Sequence, residues 1–134
     1  MTDPDIIDDL IARITAECPG LVTVDEAPFA EPIDNFDAQT PAALVYLAED
    51  GSAGDLETLR TVQKVSMTYG IWLLCERADF RTERHALREA LFGHGFSPGH
   101  EPMAYRGGQT VDIRGHLIWW REFWTVDTWL RSQA

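Results

Sequence analysis

The 134-residue sequence has little cysteine, no long hydrophobic run and almost no positive charge in its first half. Each shortage excludes something. The two cysteines, Cys18 and Cys75, lie far apart, which argues against a disulfide framework and fits a reduced cytosolic protein. The longest apolar stretches, such as Ile71–Cys75, are far too short to cross a bilayer as a helix, so no membrane association is expected. The opening MTDPDIIDDL is acidic and lacks the basic start and apolar stretch of a signal peptide. Residues 1–57 hold fourteen acids and a single base, Arg13. Such a half repels phosphate backbones and disfavours a reader of DNA or RNA.

Hydrophobic residues make up 45% and charged ones 25%, the balance of a folded chain with one core. The net charge is −11, yet residues 58–134 carry ten bases against eight acids. Two oppositely biased halves of one small domain could meet across subunits. An acidic face that only keeps the chain soluble explains the same imbalance.

The first segment reads as a helix. Asp3 suits its cap, Pro4 its first turn, and Asp5, Asp8 and Asp9 the positive end of its dipole. Ile6, Ile7, Leu10, Ile11 and Ile14 form one apolar stripe, and Pro19-Gly20 ends it. Leu21–Val24 predicts a short strand. Residues 25–41 predict a loop, with room for one helical turn and with Phe29, Ile33 and Phe36 as anchors. Ala42–Ala48 is apolar on both alternating sets, as in a strand covered on both faces. EDGSAGD (49–55) predicts a polar, protruding loop that interrupts the sheet.

Residues 61–77 give the longest strand signal. Val65, Met67, Tyr69, Ile71, Leu73 and Cys75 make one apolar face, whereas Lys64, Ser66 and Thr68 are polar until Trp72 and Leu74. That switch predicts cover on both faces of the second half, or a partner. Thr82–Phe92 predicts a second helix stopped by Gly93, and 94–102 a loop. Met103–Arg106 and Gln109–Arg114 predict two strand segments around a Gly107-Gly108 turn, with a final aromatic strand over about Leu117–Trp129.

No catalytic set emerges. His94, His100 and Glu101 share a loop, but their spacing matches no common zinc pattern, so no metal is expected. Ser97 lies between two histidines without a nucleophile elbow around it. Gly107-Gly108 precedes a strand signal rather than a helix N-terminus, so no phosphate loop and no cofactor site are expected. Glu83 and Glu89 are six residues apart on one helix, and Asp112, Glu122 and Asp127 lie on strands without an evident partner. Cys75 on an apolar face reads as a buried inert thiol.

The aromatics are unusual. Trp119, Trp120, Trp124 and Trp129 crowd WWREFWTVDTWL. Neighbouring strand residues face opposite ways, so Trp119 and Trp120 cannot share one core. One must find another covering layer or a neighbouring chain. Tryptophan and arginine are enriched at interface centres, and Arg121 sits beside the pair. A two-layer core with one half-exposed ring, or a platform for stacking sugars, would use the same residues.

Taken in order, the motifs resemble a family. An amphipathic helix leads to LVTV, a Pro-containing loop and PAALVYL (41–47). VQKVSMTYGIWLL (62–74) precedes RHALREALFG (84–93). Ala90, Leu91 and Gly93 are followed by an aromatic-x-Pro turn at Phe96 and Pro98, then by Pro102, Met103, Tyr105, Gly107 and Gly108, and last by Trp120, Trp124 and Thr125. This arrangement resembles the small tail terminator, or tail completion, proteins of long-tailed bacteriophages and prophages. It departs from them in its very acidic first half and its extra tryptophans.

The resemblance implies a single α+β domain over residues 1–134, a mixed or antiparallel sheet with two main helices packed on one face. It implies a non-enzymatic virion protein, assembled in the host cytoplasm. Such proteins form six-membered rings that cap the tail tube, end its polymerisation and offer a surface to the head connector, while DNA passes through without specific binding. Another neck component, or a small acidic binding module that inhibits a basic partner, are the alternatives. A ring needs two unlike patches per subunit. The candidate contact residues are the acids Glu49, Asp50, Asp55 and Glu57, and, from the C-terminal part, Arg106, Arg114, Trp119, Trp120, Arg121 and Trp124.

Overall fold

A computed structural model describes residues 4–34, 36–96 and 99–132. The chain begins with helix α1 (Ile7–Glu17), whose stripe buries Ile6, Leu10 and Ile14. Asp3, the expected cap, lies outside the described residues, as do Ser97 and Pro98 of the expected aromatic-x-Pro turn. Asp5 caps instead: its Oδ1 accepts the Ile7 N–H at 3.1 Å and the Tyr69 hydroxyl at 2.6 Å. Tyr69 in turn accepts the Ile6 N–H at 3.0 Å, which ties the start of the helix to the sheet.

Strand β1 (Thr23–Glu26) starts two residues later than its apolar signal, because Leu21 is drawn into the core between helix and sheet. It pairs in parallel with β2 (Ala42–Ser52). β3 (Val62–Glu76) pairs antiparallel with β2 and, along its whole length, with β5 (Leu117–Arg131). Helix α2 (Arg77–Leu91) separates β3 from β4 (Ala104–Arg114), which pairs antiparallel with β5. The sheet order is β1-β2-β3-β5-β4, a mixed sheet with both helices on one face, so the α+β expectation holds.

Three boundaries differ from the sequence reading. EDGSAGD does not interrupt the sheet. Glu49, Asp50, Gly51 and Ser52 pair with Thr68, Met67, Ser66 and Val65, after a bulge between Leu47 and Glu49 absorbs the change of pattern. α2 starts directly from β3, five residues ahead of Thr82, because the helix continues over a polar, exposed first turn.

The third concerns the glycines. Gly107-Gly108 is no turn, since β4 runs through it with a bulge between Tyr105 and Gly107. The connection is Gly115-His116, with Gly115 at φ +62 and Arg114 paired to Leu117. Gly108 serves close approach instead: a Cβ there would stand 2.5 Å from Trp120 Cζ2 and 2.9 Å from the Tyr105 hydroxyl.

Two apolar clusters result. The helix face of the sheet buries Val65, Met67, Tyr69, Ile71, Leu73 and Cys75 under α1 and α2, as the alternation predicts. On the other face Trp72, Leu74 and Trp119 pack with Ala42 and Leu44. The cover there is the chain itself. Among the described residues of the connection between β1 and β2 there is no helical turn, but Phe29 and Phe36 descend from it onto Trp119, with ring centroids 5.8 and 5.7 Å away. Trp72 meets Trp119 edge-on at 5.4 Å.

Candidate functional site

Tryptophans 119 and 120 do point opposite ways, and each finds a different solution. Trp119 is 1% exposed in the second cluster. Trp120 lies half-buried on the helix side, 5.5 Å from Phe80. Trp124, also on the helix side, is fully buried against Tyr105 at 5.1 Å. The rings of Trp119 and Trp124 are closed off within the protomer and have no surface to offer a neighbour.

Between Trp120 and Trp124 sits Glu122, wholly buried. Strand alternation places all three on one face. Glu122 Oε2 accepts the Trp120 indole N–H and Oε1 the Trp124 indole N–H, both at 2.9 Å. The acid that lacked a partner in the sequence has two, spaced at i−2 and i+2, and the pattern W-x-E-x-W is its signature. A buried carboxyl group held this way orients two large rings and fills both of its oxygens.

The C-terminal arginines are clamps. Arg121 lies between the rings of Trp72 at 4.8 Å and Phe123 at 5.1 Å. It donates to the Ala30 carbonyl at 2.9 Å and to the Tyr46 hydroxyl at 3.3 Å. Arg114 donates to Asp34 at 2.6 Å and Asp112 at 2.7 Å. These two side chains fasten the Phe29–Phe36 segment over the second face. Arg106 donates to the Thr125 hydroxyl at 2.9 Å and, with Arg121, Tyr46, Glu49 and Phe123, lines an open groove of about 560 Å³.

The four acids sit apart from these arginines, apart from Glu49 at the groove. Glu49 and Asp50 are exposed on the far half of β2, and Asp55 and Glu57 lie in the loop that joins it to β3. This hairpin end is ordered by its own contacts. Glu57 and Val62 exchange both backbone hydrogen bonds, at 2.7 and 3.0 Å. Glu57 also takes two hydrogen bonds from Arg60, at 2.8 Å each, which holds its carboxyl pKa below the ordinary value. The sequence reading missed what this end presents. Leu59 is 96% exposed and Leu56 54% exposed, and their signal was two leucines in an otherwise polar loop.

Among the described residues no group of three His, Cys, Asp or Glu stands close enough to hold a metal ion. His100 Nε2 donates to the Pro4 carbonyl at 2.9 Å, while Glu101 pairs with Lys64 at 3.2 Å. His94 stacks edge-on with Phe96 at 4.6 Å, and burial lowers its pKa. Burial raises the Cys18 thiol to about 11 and the Cys75 thiol to about 12. Neither is a nucleophile at neutral pH. No described helix is long and apolar enough to cross a membrane.

The arrangement is therefore one of surfaces: a stiff acidic hairpin with exposed leucines at one end, and a clamped aromatic layer at the other. Compared with known protein families, residues 3–134 match the family described as phage tail terminator protein. No curated protein matches the chain.

Proposed function

Since the chain belongs to the phage tail terminator protein family, and is thus a structural component of the phage tail, we propose that it forms a ring, six-membered in the complete assembly, that caps the tail tube. The cap ends tube polymerisation and presents its outer surface to the head connector. The protein acts by contact and not by catalysis, as a single domain over residues 1–134, in the virion and assembled in the host cytoplasm.

The observation that carries this reading is the hairpin end. A ring is built by head-to-tail contacts, so each copy needs two unlike patches. One patch is the β2–β3 end, where Glu49, Asp50, Asp55 and Glu57 surround the exposed Leu56 and Leu59. A buried leucine contributes roughly 1.5–3 kcal/mol, so two exposed ones on a stiff hairpin favour a partner. Of the other contact candidates, the exposed Arg106 and the half-buried Arg114, Trp120 and Arg121 retain side-chain surface for a neighbour or for the tube. The acid-rich first half offers passing DNA a single cation, Arg13, against fourteen acids.

The test is the mass of the protein alone and on purified tail tubes. Six copies per tube end, free protein being monomer or hexamer, supports the ring. A monomer that never joins a tube and instead binds a basic protein supports the acidic inhibitor.

A further inference from the structure

Helix α2 carries two arginines one turn apart, Arg84 and Arg88, that the contacts above leave unused. Arg84 stacks over Trp120 at 5.3 Å and Phe80 at 5.7 Å, and Arg88 over Tyr105 at 4.8 Å. The Nε atoms of both are buried without a hydrogen-bond partner, and neither side chain joins an ion pair among the described residues. Both are half-buried, so each retains surface. Stacking fixes the plane of a guanidinium, and with Nε buried the two Nη groups form the edge left to take a carboxylate by two parallel hydrogen bonds. At i,i+4 spacing the two forks share one face. Phe92, 70% exposed, follows at the end of the same helix.

We propose that this Arg84–Arg88 seam receives the acidic β2–β3 hairpin end of a second copy of the chain. The inference rests on the ring reading and supplies its second patch. The charges complement each other. Glu49, Asp50 and Asp55 are exposed and make no ion pair among the described residues, and the exposed Leu56 and Leu59 have Phe92 to cover. The tip that carries Asp55, Leu56 and Leu59 does not reach the seam of its own chain. Tyr105, under Arg88, pairs with Trp124, which pairs with Tyr69. Tyr69 lies seven residues from Val62, where the hairpin end begins, a span of about 23 Å along a strand. A patch that must be reached by another copy's opposite end is a head-to-tail contact. Nucleic-acid phosphate is the other ligand for such forks, but the −11 net charge opposes a duplex.

The experiment uses three full-length variants: Arg84→Glu/Arg88→Glu, Glu49→Lys/Asp50→Lys/Asp55→Lys, and the two sets combined. Assembly mass is read for each, alone and on tail tubes, with melting curves as the control for folding. Each reversed set alone loses rings. An equimolar mixture of the two regains rings of alternating copies, because the acidic hairpin of one meets the arginine seam of the other and the lysine hairpin meets the glutamate seam. The combined variant, with the charges exchanged, regains rings. If Arg84→Glu/Arg88→Glu melts early, Arg84→Gln/Arg88→Gln replaces it, and association at least tenfold weaker is expected. Rings formed normally by the folded arginine variants overturn the seam while leaving the ring reading intact. Wild-type protein that stays monomeric even on tubes overturns both. Loss of duplex-DNA binding in these variants, with assembly unchanged, makes phosphate the ligand and overturns the proposal.

Discussion

Replacing Glu122 by alanine is expected to be among the most damaging single changes in the sheet. The side chain is 0% exposed, and its two oxygens accept the Trp120 and Trp124 indole N–H groups, at 2.9 Å each. Alanine strands both donors, one of them wholly buried. Each stranded group costs about 1–3 kcal/mol, and the lost methylene and carboxyl group leave a void under two rings. The sum is about 3–5 kcal/mol, against a total of about 5–15 kcal/mol for a typical domain. With a urea m-value of about 1–3 kcal/mol per M, the unfolding midpoint falls by roughly 2 M. Glu122→Gln keeps the shape and one acceptor but sets an amide N–H₂ against an indole N–H, so about half of that loss is expected. Urea unfolding followed by tryptophan fluorescence and far-UV circular dichroism reads both variants. An alanine variant within about 0.5 kcal/mol of wild type, at an unchanged m-value, would refute the view that this carboxyl group organises the aromatic strand.

Other outcomes follow from the same structure. Gly70→Ala puts a Cβ 2.6 Å from Tyr46 Cε1, so a loss of about 1–3 kcal/mol is expected. Thermal melts should recover part of it when Tyr46→Leu is added. Gly115→Ala forces a non-glycine residue to φ +62 and should cost about 1 kcal/mol in the same assay. Cys18 and Cys75, with thiols raised to about 11 and about 12 by burial, should resist maleimide at pH 8 until urea unfolds the chain. Glu83 has its pKa raised above 4.5, first by burial and then by the charge of Asp79. The folded state therefore holds that proton to higher pH than the unfolded chain does. The contribution to stability is full below about 4.5, declines as pH rises through the folded value, and is level above it. Glu83→Gln should remove that decline, measured as urea midpoints from pH 4 to 8.

Much of this fold is legible in residue order, for reasons that particular residues make plain. The alternation from Val65 to Cys75 predicts one buried face, and the change at Trp72 predicts cover on the other. What alternation does not carry is who supplies that cover: Phe29 and Phe36 come from a loop with no regular pattern of its own. Two adjacent glycines look alike whether they turn the chain or make room for Trp120, and the difference lies in a neighbouring strand. Glu49–Ser52 have turn-forming composition, yet pairing with β3 and a bulge at Leu47 keep them in the sheet. The contact candidates divide on the same principle. Arg114 and Arg121 look like interface arginines by type and neighbours, and the structure adds long-range contacts with Asp34 and Ala30 of the same chain that residue order does not show. Leu56 and Leu59 carry no sequence signature of exposure beyond their polar neighbours.

The proposed function stands most directly on the length of the tail tube. Tails assembled with this protein, measured in negative-stain images, are predicted to have one uniform length. Tails assembled without it are predicted to be overlong and heterogeneous, and adding back the purified protein is predicted to stop their growth. Identical length distributions with and without the protein would contradict the claim that it ends tube polymerisation.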